Sequence, residues 1–195
     1  MANGEEQQKW PPHSIMVSTG TMVDLENPEI SMIHIQDIAR SLSRGARFAG
    51  HGSHMYTIAQ HSVFVAVAAD GDDQGLLRRI GILHDASEGY MLDVPKPLKN
   101  LIGECYEPYE HNLQSVIFDR FGLTGEDTSK IKYWDNLMYD MEAAALRDNN
   151  YAMLQQTNRI VMRTIGVSFA DHLLIWPPEL AEFIYLMLCE RAGIK

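Results

Sequence analysis

The sequence is poor in what secretion, membranes or nucleic acids would require. Its two cysteines, Cys105 and Cys189, lie far apart and form no CxxC pair. Neither a disulfide framework nor a thiolate metal knuckle is expected; both read as small buried hydrophobes in a reducing compartment. No apolar run approaches the roughly 18 residues that a membrane span needs. The opening MANGEEQQKWPPHS is polar and has no apolar signal core, so secretion is not expected and the cytoplasm is the expected location. Basic charge is scarce: 16 Lys and Arg stand against 26 Asp and Glu, a formal net charge of -10. That excess repels a phosphate backbone and argues against a general DNA or RNA binder. A phosphorylated ligand would need a local cluster of cations or a metal, because no Gly-rich phosphate loop of the P-loop kind is present.

What is present suits one globular domain. A chain of 195 residues that is 46% hydrophobic can bury a sizeable core and is too short to suggest two domains. The expected organisation is one domain over 1–195, with a loose tail over residues 1 to about 12. Two short β-prone runs around Ser18-Thr19-Gly20-Thr21 predict a hairpin near 15–24. Helical patterning then predicts helices over 34–44, 56–69, 75–88, 96–102, 106–121, 128–149 and 178–192. Breaks are expected at DGDDQG, DVPKPLK and GLTGEDT. The fold class is all-α, a helical bundle with a small N-terminal β-hairpin, and bundle cores commonly house metal sites built from facing helices.

Four polar residues interrupt the apolar patterning. His84 and Asp85 follow Ile80, Ile82 and Leu83, and burying them unpaired would be unfavourable. As helix neighbours they would diverge by about 100°, yet both can reach an ion over the helix edge, with Glu88 on the same side. A helix end emerging into solvent is the alternative. His61 sits in YTIAQHSVFVAVAA, where a hydrogen-bonded core histidine is the commoner outcome. Asp135 lies among Trp134, Leu137 and Met138, where a surface or capping Asp is usual. Taken together they form a mixed nitrogen and oxygen set suited to Zn, Co, Mn or Fe, with room for water. The flanking residues admit plainer readings. His51 and His54 in GHGSHMY could bind a second metal but read as solvated loop histidines; Glu142, two turns past Asp135, could back up the site but reads as a helix-surface acid; Met138, Met141 and Met187 read as core filling.

The order His…His-Asp…Asp on successive helices resembles the HD-domain metal-dependent phosphohydrolases, over roughly residues 33–148. DIARSLSRGARFAGH…YTIAQHS followed by LHDASEGYMLDVPKPLK is similar to bacterial 5′-deoxynucleotidases and, most of all, to phage dATP triphosphohydrolases. The resemblance implies an HD-domain bundle in which His61, His84, Asp85 and Asp135 hold one divalent transition metal, Zn, Co or Mn. It implies Glu88 as general acid/base and Asp93 as a water-orienting or deoxyribose-binding group. Arg47, Lys96 and Lys99 would bind phosphate, and Phe48 would pack the sugar or base. Gln60 stands where relatives carry Glu. The implied substrate is a small deoxynucleotide attacked at the α-phosphorus, foremost dATP to deoxyadenosine and triphosphate, with Arg44 as a further cation. The alternatives are a 5′-deoxynucleotidase acting on monophosphates, or a nucleotide-sensing module without turnover. A homo-oligomer, dimer or hexamer, is implied, with no nucleic-acid or membrane partner, in a host cytoplasm if the gene is phage-borne. The chemistry asks for these residue types independently, since phosphoryl transfer spreads negative charge that placed Arg and Lys stabilise.

Overall fold

The computed structural model describes residues 11–71, 75–167 and 172–195. Residues 1–10 of the expected tail, and 72–74 of the expected DGDDQG break, lie outside the described residues. A hairpin of β1 (Ser14–Met16) and β2 (Met22–Asp24) leads into a helical bundle. Ile15 pairs with Val23, and Asp37 pins the turn by accepting from Ser18 Oγ at 2.5 Å and Thr19 N at 2.8 Å. Asp37 lies on α1 (Ile35–Leu42). The remaining helices are α2 (Ile58–Ala68), α3 (Leu76–Leu83), α4 (Glu88–Met91), α5 (Lys96–Arg120), α6 (Lys132–Asp148), α7 (Ala152–Thr164) and α8 (Pro178–Arg191).

The apolar stretch 58–66 is buried on every face, so α2 becomes the central helix. Thr57 caps it by accepting from the Gln60 N–H at 3.1 Å. Helices α3, α6, α7 and α8 surround it. The α8 helix packs inward through Ala181, Ile184, Tyr185 and Leu188. Gln60 is occupied structurally: its side chain donates to Leu174 O at 2.9 Å and accepts from Trp176 N at 3.0 Å, tying the segment before α8 to α2.

Three boundaries differ from those the patterning predicts. The helix expected over 75–88 stops at Leu83, because side chains take its last carbonyls. Gly81 O accepts from His84 Nδ1 at 2.8 Å, Ile82 O from Tyr185 Oη at 2.8 Å, and Leu83 O from Gln114 Nε2 at 2.7 Å. Satisfied this way, the carbonyls need no continuing helix. Residues 96–102 and 106–121 form one helix through Gly103 and Pro108. Lys99 Nζ meets Glu110 Oε1 at 2.6 Å, whereas a straight helix would separate eleven residues by about 16 Å. The helix therefore bends, and Pro108, which lacks an N–H, provides the place. Helix α7 was not expected at all; its buried Leu154, Asn158, Val161 and Met162 follow helical spacing. Met138, Met141 and Cys189 are buried, and Met187 packs against the core. Cys105 is exposed, correcting the expectation that both thiols are interior: α5 buries only Leu113, Ile117 and Phe118. Among the described residues no helix is long and apolar enough to cross a membrane.

Candidate metal centre

The close approach of α2 and α3 brings the His61 and His84 rings to 5.4 Å between centroids. Both histidines are held by Nδ1. His61 Nδ1 lies 2.8 Å from Glu142 Oε1, and His84 Nδ1 lies 2.8 Å from Gly81 O. A carbonyl and a carboxylate can only accept, so both rings carry a proton on Nδ1 and present Nε2. These two Nε2 atoms are buried without a hydrogen-bond partner among the described residues. They converge on carboxylates: His61 Nε2 stands 3.3 Å from Asp135 Oδ1 and 3.6 Å from Asp85 Oδ2, and His84 Nε2 stands 3.2 Å from Asp85 Oδ2. Ligand atoms of His61, His84 and Asp135 lie within 4.8 Å of one another and could hold a metal ion. Asp85, the fourth expected ligand, lies beside both rings but is not one of that mutually close trio. Buried imidazole nitrogens beside carboxylate oxygens are a donor set that suits Zn, Co or Mn.

Asp85 and Asp135 line a cleft of about 560 Å³, with the two histidines buried behind them. The expected residues Arg47, Phe48, Glu88, Asp93, Lys96 and Lys99 all line it. The turn that carries Phe48 is tight, with left-handed backbone at Phe48 (φ 57°) and Ala49 (φ 51°). Leu92 also has positive φ, 70°, a conformation costly for a branched side chain; it turns the chain so that Asp93 enters the cleft. Tyr106 Oη donates to Leu92 O at 3.3 Å and approaches Met91 O at 3.4 Å, so α5 folds back onto this turn.

The electrostatics separate the carboxyl groups into two kinds. Burial opposes ionisation of Asp85, but the neighbouring His84, His61 and Arg47 outweigh it and hold its carboxyl well below the usual range. Asp135 is likewise held low: burial opposes, while His61, His84 and Lys132 prevail. Glu88 goes the other way, since burial and the charges of Asp85 and Asp93 push it well above an ordinary carboxyl. Asp93 is raised chiefly by burial. At His61, burial and Arg47 oppose the charged ring, but Glu142 and Asp135 bring its value up to about 9.

Two residues join the site that the sequence reading passed over or placed elsewhere. Glu142, expected on the helix surface, is fully buried, touching His61 and, at 2.9 Å, Arg47 Nε. Its position was legible: Met138, Met141, Glu142, Ala145 and Leu146 form the buried stripe of α6, so Glu142 holds a core register. Lys132 also lines the cleft, with Nζ 2.8 Å from Asp135 Oδ2. Arg44 does not; it pairs with Glu182 at 2.6 Å on α8. His51 and His54 are exposed and stand outside the metal set; His54 Nδ1 lies 3.1 Å from Ser53 Oγ.

No family model matches the chain. It is 38% identical over 110 residues to the uncharacterized protein YfdR of Escherichia coli, a match covering 56% of this chain and 59% of that one. It is 33% identical over 119 residues to an uncharacterized protein of Rhodobacter capsulatus, covering 58% and 61%. The chain thus spans about three-fifths of the length of the curated relatives it matches.

Proposed function

We propose that this protein is a metal-dependent phosphohydrolase of the HD-domain kind, cleaving deoxynucleotides at the α-phosphorus. One observation carries the reading: two buried, unpartnered imidazole nitrogens converge on Asp85 and Asp135, which line a cleft walled by Arg47, Lys96, Lys99 and Lys132. His61, His84, Asp85 and Asp135 would hold the ion, which when bound supplies a water of lowered pKa and polarises a phosphoryl oxygen. The four cations bind and orient the phosphate, Arg47 with its forked geometry and the lysines as compact charges. Glu88, kept protonated more readily than an ordinary carboxyl, stands in the cleft as the group that gives a proton to the departing nucleoside oxygen. A water oxygen that has given one proton to solvent bonds to phosphorus, the phosphorus–5′-oxygen bond breaks, the alcohol leaves neutral with the Glu88 proton, and Glu88 is reprotonated from solvent. Asp93 faces the same space to accept from a sugar hydroxyl, and Phe48, whose ring lies 5.6 Å from that of Tyr139, offers an apolar wall for the sugar or base.

Charge favours a monophosphate. The four cations of the cleft stand against Asp85, Asp93 and Asp135 and against Glu142 and Glu110, which pair with Arg47 and Lys99, so with Glu88 protonated a single divalent ion leaves an excess near one positive charge. A phosphate monoester carries about two negative charges at neutral pH, whereas a triphosphate carries far more. Arg44, expected to help hold a longer phosphate tail, is committed to α8. The dATP triphosphohydrolase reading stands second, supported by Lys96 and Lys132, both exposed at the mouth. Incubation with a panel of deoxynucleoside mono- and triphosphates, with added Zn, Co or Mn, separates the two. Nucleoside plus phosphate from the monophosphates is expected; nucleoside plus triphosphate would favour the second reading. No turnover of any nucleotide by metal-loaded protein would leave a binding module and sink both.

A further inference from the structure

The geometry points to Glu142 as a positioning residue that serves the metal ligand His61 and the phosphate-binding Arg47 at once, one carboxylate oxygen for each. The inference rests on the metal-site reading above. Glu142 is fully buried on α6. Its Oε1 accepts from His61 Nδ1 at 2.8 Å, and its Oε2 stands 2.9 Å from Arg47 Nε. The second contact is a close ion pair without the alignment of a hydrogen bond. Arg47 reaches on to Asp85, Nη1 to Oδ2 at 3.5 Å, and lines the cleft.

His61 and Arg47 thus face one buried side chain, with the Tyr56 hydroxyl close to it as well, and only a carboxylate can accept from His61 and counter the Arg47 charge together. By accepting from Nδ1, Glu142 fixes the His61 tautomer and turns Nε2 toward Asp135, the arrangement in which an outer carboxylate orients a metal-bound imidazole. Through its other oxygen it holds the guanidinium that would meet the phosphate. A glutamine has one acceptor oxygen and an NH₂ group that only donates. Glu142→Gln removes the counter-charge of Arg47 and lets the single amide oxygen turn to either Arg47 or His61 Nδ1–H, with the NH₂ facing the other.

Zinc affinity, measured by competition with a chromophoric chelator and no nucleotide present, tests this. Glu142→Gln should weaken zinc binding about 10- to 100-fold. Arg47→Met in that background removes the competing donor and frees the amide oxygen for His61. It should restore zinc affinity by a larger factor than Arg47→Met produces in the wild type, a non-additivity read by the double-mutant cycle. Unchanged affinity in Glu142→Gln, or a loss that Arg47→Met does not specifically restore, would overturn the assignment. If Glu142→Gln does not fold, ¹⁵N-histidine spectra of zinc-loaded wild type decide: Nε2-bound zinc with a proton on Nδ1 of His61 supports it, and Nδ1-bound zinc refutes it. Wild type that binds no zinc refutes the metal-site reading itself, and this assignment with it.

Discussion

Gly81 of α3 lies against Ala66 of α2 so closely that a Cβ at position 81 would come 2.7 Å from the Ala66 Cα. That contact sets the spacing of the two helices that carry His61 and deliver His84. Gly81→Ala would force the helices apart, at an overpacking cost of about 1–3 kcal/mol. The expected outcome is a lower denaturation midpoint together with weaker zinc binding. Loss of stability with unaltered zinc affinity would show that helix spacing does not govern the site.

A second expectation concerns pH. In metal-free protein the His61 value rises from its ordinary 6.5 to about 9. A raised histidine contributes stability that is fully present below the unfolded value and is lost as pH rises through the folded one. Chelator-treated protein should therefore lose up to about 3 kcal/mol between pH 6.5 and 9. Urea titrations at the two pH values measure it; a flat profile, or a gain in stability, would contradict the His61–Glu142–Asp135 arrangement.

Glu88→Gln separates proton transfer from metal holding. The turnover number should fall about a hundred- to ten-thousand-fold, while zinc affinity stays within a few-fold of wild type, because Glu88 is not among the proposed ligands. A variant that keeps full turnover would remove Glu88 from the chemistry.

Gln114 clamps the turn carrying His84 and Asp85, donating to Leu83 O at 2.7 Å and accepting from Ser87 N at 3.0 Å. Gln114→Ala strands the Ser87 N–H, while Leu83 O keeps the Ala86 N–H at 3.1 Å, and should destabilise the fold by about 1–3 kcal/mol. Denaturant unfolding checks this; a change below a few tenths of a kcal/mol would mean that the turn is held from elsewhere.

The parts of the site legible in the sequence are those where polar residues break an apolar pattern. His61, His84 and Asp135 interrupt hydrophobic helices, and the structure brings them together. The hairpin and most helices were legible from periodicity for the same reason. What local pattern hid are long-range partners. Nothing near Leu83 announces that Gln114 and Tyr185 will take the α3 carbonyls and end the helix early. Pro108 and Gly103 look like breaks, yet the Lys99–Glu110 contact holds one bent helix across them. Glu142 lay between these cases: its core register was visible, but its partners His61 and Arg47 come from other elements, and a charged side chain on a helix is usually solvated.

The segment from Met91 to Glu110 is fastened largely to itself, through Tyr106 Oη on the carbonyls of Met91 and Leu92 and through Lys99 on Glu110. The residues proposed to hold the ion belong to other stretches of chain, as do Arg47 and Lys132. The part of the cleft wall that carries Asp93, Lys96 and Lys99 is thus an exchangeable cassette: on the proposed function, grafting a differently charged 91–110 segment would retune which phosphorylated compounds are accepted while His61, His84, Asp85 and Asp135 stay where they are.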